Sequence, residues 1–147
     1  MNSLLKAVVF LLLQIPAIVL SGCAEPEPAA PPAAEAEPEA IARTEFTDRL
    51  ENFFEYEPLH AGKPSQFRIH LTDLHDGSPV EQAQVSLTVR RKGAAETTAE
   101  TIAKVGKVTG IYVAHLSIPQ SGEYDIEFHI RNASVDERLP LKGFKVE

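Results

Sequence analysis

The sequence predicts an all-β fold: an antiparallel immunoglobulin-like β-sandwich of about seven strands, preceded by a signal peptide and a disordered linker. Three observations carry that prediction. Apolar and polar residues alternate through most of the chain beyond Glu51. Turn-forming clusters break the alternation every ~10 residues. No stretch after Arg43 sustains a helical period.

The strands follow in order. Phe53, Phe54 and Tyr56 mark an entering strand over 51–57, although Glu45–Phe54 also suits a turn of helix. Phe67, Ile69 and Leu71 alternate with Arg68, His70 and Thr72, giving a strand over 65–74. Val85, Leu87 and Val89 oppose Ser86, Thr88 and Arg90 in 83–92, and a further strand spans 96–104. Tyr112, Ala114, Leu116 and Ile118 share one face of 111–118. Tyr124, Ile126, Phe128 and Ile130 oppose Asp125, Glu127, His129 and Arg131 in 123–131, and a last strand covers 136–146. Between the runs lie His60-Ala61-Gly62-Lys63-Pro64, His75-Asp76-Gly77-Ser78-Pro79, Lys92-Gly93, Val108-Thr109-Gly110 and Pro119-Gln120-Ser121-Gly122. Strands of this kind suit two stacked sheets, and a small barrel satisfies the same alternation. With one cysteine and no tryptophan, the chain lacks the hallmarks of an antibody-type domain.

The N-terminus reads as an address. Lys6 precedes a run from Ala7 to Leu20 broken only by Gln14 and Pro16, too short for a spanning helix and suited to a signal h-region. Leu20-Ser21-Gly22-Cys23 closes it as a lipobox. Residues 1–22 are therefore expected to be a lipoprotein signal peptide, cleaved to leave Cys23 carrying diacylglycerol and an acylated (palmitate-type) amine. Several acyl chains at ~0.8 kcal/mol per buried CH₂ make a stable anchor. An acylated Cys23, the only cysteine, offers no disulfide, redox thiol or metal ligand. Ala24 in place of an Asp favours the outer membrane of the cell envelope, facing the periplasm.

The linker, residues 23–43, holds five prolines and five glutamates, with Ile41 its only sizeable hydrophobe. Such a segment cannot bury enough apolar surface to offset its ordering, and it extends at ~3.1 Å per residue. Residues 44–147 form the expected sandwich. The chain carries a formal charge of −7. That balance argues against nucleic acid and against adsorption to anionic lipid.

Two stretches carry a resemblance. Phe53-Phe54-Glu55-Tyr56-Glu57-Pro58-Leu59, the Gly62 turn and His70-Leu71-Thr72-Asp73-Leu74 resemble the opening of an N-terminal domain in periplasmic adaptor subunits of heavy-metal resistance-nodulation-division efflux pumps. Gly77-Ser78-Pro79-Val80, Gly110-Ile111-Tyr112 and Gly122-Glu123-Tyr124 are similar to YtkA-like exported immunoglobulin-like domains. The resemblance implies a stand-alone module without the lipoyl-like, hairpin and barrel domains of an adaptor.

Five histidines are the candidate chemistry. Alternation points His70, His115 and His129 away from the core. If Ile118 pairs with Tyr124 in a hairpin, His115 faces Glu127 with His129 on the diagonal, ~7–8 Å away. Two imidazoles and a carboxylate suit Zn²⁺ or Cu²⁺, and a solvated polar face accounts for the same residues. His60 and His75 sit in turns near Asp73 and Asp76, which suit a loose cation site or simple turn capping. No nucleophile elbow, His-Glu-x-x-His, P-loop or dinucleotide fingerprint is present, so no catalytic residues and no cofactor are expected. The expectation is a non-enzymatic envelope lipoprotein. It would bind a protein partner or a metal cation, beside a metal-efflux system. The alternative is a structural surface lipoprotein with no metal link.

Overall fold

The computed structural model describes residues 39–147. The signal peptide, Cys23 and the linker as far as residue 38 lie outside the described residues. The described chain is all-β, with two antiparallel sheets packed face to face and no helix among the described residues. Nine strands build it: β1 (Ile41–Phe46), β2 (Leu50–Tyr56), β3 (Pro64–Asp73), β4 (Gln84–Arg91), β5 (Thr97–Ile102), β6 (Lys104–Val105), β7 (Ile111–Ser117), β8 (Gly122–Arg131) and β9 (Asp136–Val146). Sheet A has the order β1-β2-β3-β7-β6 and sheet B the order β5-β4-β8-β9.

Alternation drives this arrangement. Phe67, Ile69 and Leu71 on β3, and Val85, Leu87 and Val89 on β4, are at most 1 % exposed, while their neighbours reach the surface. A strand has period two, so one buried face requires this pattern. Phe54 lies 4.8 Å from Phe128 and 6.4 Å from Phe144, between ring centres, which joins the two sheets through aromatic contact.

Two strands depart from the sequence reading. Glu45 and Phe46 belong to β1, not to a helical turn, and a tight turn at Thr47–Leu50 leads into β2. β1 also takes in Ile41–Arg43, which the sequence assigned to the linker. The cause is physical: β1 turns Arg43 and Glu45 inward, so it shows no apolar period. Arg43 stacks over Phe144 at 4.8 Å and Phe54 at 5.8 Å, donates to the Lys142 carbonyl at 3.1 Å and pairs with Glu45 at 2.6 Å. Aromatic faces and a carbonyl thus take the place of an aliphatic contact. The short β6 splits off from the expected 96–104 strand where Ala103 turns into the core.

Tyrosine hydroxyls fix the crossings between sheets. Tyr124 donates to the Gln120 carbonyl at 2.9 Å, in the manner of a tyrosine corner. Tyr112 donates to the Val80 carbonyl at 2.8 Å and accepts from the Ala83 amide at 3.0 Å. Gly110 is required beside this tie. Its φ is +78°, and a Cβ there would sit 2.6 Å from Pro79 Cβ. Gly110→Ala is expected to lower stability by about 2–4 kcal/mol through strain and overlap together, measured by thermal or urea unfolding.

Asn52 is the exception in the core. It is fully buried on β2, and neither Oδ1 nor Nδ2 has a partner among the described residues. A buried unmatched polar group costs about 1–3 kcal/mol. Asn52→Leu is therefore expected to raise the melting temperature. A lowered one would show that Asn52 has a polar partner.

Candidate functional site

The structure separates the histidines that the sequence grouped. His115 projects from the outer face of β7 in sheet A, opposite Gln66 on β3. Glu127 and His129 project from the outer face of β8 in sheet B. The expected hairpin is not formed, because β7 pairs with β3 and β6 while β8 pairs with β4 and β9. Ile118 turns into the core at 2 % exposure, and the chain crosses to the other sheet before Gly122. The Gly62 amide, 2.7 Å from the Ile118 carbonyl, pins the start of that crossing. The set His70, His115, Glu127 and His129 is thus spread over both outer faces. Among the described residues no cluster of three metal-ligating side chains occurs.

Three of the four have other company. His129 Nε2 lies 2.7 Å from Asp136 Oδ1. Glu127 accepts from Arg138 at 2.9 Å and lies 3.9 Å from Arg90. His70 meets the Phe53 ring edge to face at 5.2 Å, and its buried Nε2 has no partner among the described residues. The turn carboxylates Asp73 and Asp76 are likewise engaged. His60 precedes β3 and His75 follows it, so a ten-residue strand separates them. Asp73 Oδ2 accepts from Arg49 at 3.0 Å and Oδ1 from the His75 amide at 3.0 Å. Asp76 accepts from the Ser78 amide at 2.9 Å. These carboxylates cap turns, as one of the two readings held.

The feature that the sequence reading passed over is the outer face of sheet A. Phe53, His70 and Ile111 lie in register across β2, β3 and β7. Glu55, Arg68 and Val113 form the next row, and Phe46 on β1 is 63 % exposed. The outer face of sheet B carries instead the paired ions Arg90, Glu127, Arg138, His129 and Asp136. Sequence does carry a signal for the first face. Phe53-Phe54 and Ile111-Tyr112-Val113-Ala114 are apolar without alternation, so a strand must show apolar groups on both sides.

These features define the class: a two-sheet antiparallel β-sandwich with one ion-paired and one partly apolar outer face. The chain belongs to the YtkA-like family, whose sequence model matches residues 45–129, from the end of β1 into β8. No curated protein matches the chain.

The turn at Asp73 sets a pH dependence. The His75 amide and the Arg49 guanidinium bond to its ionised carboxyl and hold its pKa below the ordinary 3.8. A depressed carboxyl contributes stability that is present above its unfolded pKa and lost as pH falls through the folded value. The stability gap between wild type and Asp73→Asn is therefore expected to be constant above about pH 5 and to narrow below pH 4. Unfolding midpoints measured across that range check it.

Proposed function

We propose that this protein is a lipid-anchored component of the bacterial cell envelope that works by binding a protein partner, without catalysis. The lipobox Leu20-Ser21-Gly22-Cys23 at the end of the apolar run carries the reading, because an acylated Cys23 fixes both the compartment and the attachment. The outer face of sheet A is the surface offered to the partner. Phe46, Phe53, Ile111 and Val113 supply apolar contact there, with Glu55, Arg68 and His70 among them. Aromatic groups with an arginine nearby are the composition that concentrates binding energy at interfaces. The resemblance of Phe53–Leu74 to the opening of efflux adaptors makes a component of a metal-efflux assembly the first partner to test. Because the histidines sit on opposite faces, contact with that partner, and not capture of a cation, is the proposed mode of action.

Cys23→Ser is expected to abolish palmitate incorporation and to move the protein from the membrane to the soluble fraction. Unchanged membrane retention of the variant would overturn the anchor. For the surface, capture of an envelope partner should be lost with Ile111→Lys on a chain that unfolds as wild type does. Deletion that leaves metal tolerance intact and weakens the envelope would favour a structural lipoprotein instead.

A further inference from the structure

Two sheets have four edges, and an open edge invites a further strand. Three of the four are blunted. On β1, Arg43 and Glu45 point inward and are tied to each other and to the Lys142 carbonyl. β9 carries Pro140 and a register shift near Gly143, and Leu59–Ala61 bonds to its end through the Glu147 amide and carbonyl. β6 is only two residues long. β5 differs. It runs Thr97-Thr98-Ala99-Glu100-Thr101-Ile102, with no lysine, arginine, proline or glycine and a single carboxylate.

The hydrogen-bond phase shows which groups β5 leaves open. The Ala103 amide donates to the Val85 carbonyl at 2.8 Å. Leu87 opposite Thr101 and Val89 opposite Ala99 continue the same phase. Main-chain groups alternate in direction along a strand, so those of Glu100 and Ile102 face away from β4. A second observation concerns the same stretch of chain. Of the large exposed hydrophobics, Ile102 (57 %), Val105 (64 %) and Val108 (61 %) lie on or beside β5 and β6, within seven residues of one another.

We propose that β5 is a self-association edge at which a second copy of this chain adds antiparallel, with the twofold axis at Thr101. That register places Glu100 of each copy opposite Ile102 of the other, and the two Thr101 side chains face each other. Glu100 then meets no like charge. A register centred on Glu100 would set two carboxylates directly opposite, which is destabilising. Two pairs of main-chain hydrogen bonds close the join, and sheet B becomes an eight-stranded sheet across the dimer. Ile102, 57 % exposed, lies at the seam, which withdraws its apolar surface from water. The proline- and glutamate-rich linker is no substitute occupant. Its prolines lack the donors an added strand needs, and its glutamates would face Glu100.

The test is disulfide trapping of the full chain in the membranes of the cells that make it. In the twofold register Thr101 forms a non-hydrogen-bonded pair, where Cβ atoms approach ~4.5–5.5 Å. Thr101→Cys is expected to give a covalent dimer under mild oxidation, with peptide mapping showing a 101–101 bridge. Glu100→Pro in that background removes an outward amide without taking a bond from β4, and Ile102→Lys sets a charge at the seam. Each is expected to abolish the dimer while circular dichroism remains that of a folded sheet protein. A monomeric Thr101→Cys, or a dimer that survives both second substitutions, overturns the proposal. A bridge through Cys23 would also overturn it and would show, separately, that Cys23 is not acylated.

Discussion

Five aromatic rings hold the two sheets together, and the rest of the domain is arranged around them. Phe54 and Tyr56 on β2 and Phe67 on β3 meet Phe128 on β8 and Phe144 on β9. Tyr56 and Phe67 stack at 5.1 Å with an interplanar angle of 9°, and Phe54 reaches across to Phe128. The sole cysteine lies ahead of the domain, so no disulfide supports the stack. Burial and ring contact carry the load, at about 150–250 Å² buried per aromatic side chain. The clasp of Arg43 and the tyrosine ties of the crossings position strands on this stack.

Most of the fold was legible because one physical rule wrote it. Where a strand buries one face, as β3, β4, β7 and β8 do, side chains alternate and the strand can be read directly. The readable strands are those whose inward residues are apolar. β1 escaped because its inward residues are Arg43 and Glu45, which pair with each other, and Arg43 rests on Phe54 of the adjacent β2 and on the Phe144 ring and Lys142 carbonyl of distant β9. Nothing local announces such partners.

The site was harder to read, for a related reason. Alternation placed His70, His115 and His129 on outward faces, and they are there. Which outward face each occupies depends on how strands pair, and period two is silent on that. Neighbouring strands usually pair, which made a β7–β8 hairpin the natural expectation. The buried Ile118 and the Tyr124 hydroxyl carry the chain across to the other sheet instead. The Asp73 and Asp76 turns came out as local hydrogen-bond chemistry suggests, since an Asx side chain caps an amide two residues on.

Arg43 has a mechanical consequence. It is the third residue of β1, which begins at Ile41 where the preceding chain enters the strand. Tension transmitted along the polypeptide from the N-terminal side reaches this strand before any other. Peeling β1 from β2 must first lift a guanidinium off two neighbouring aromatic rings and sever its bond to the opposite sheet. The grip therefore resists the separation of β1 before load applied at its start can reach the hydrophobic interior.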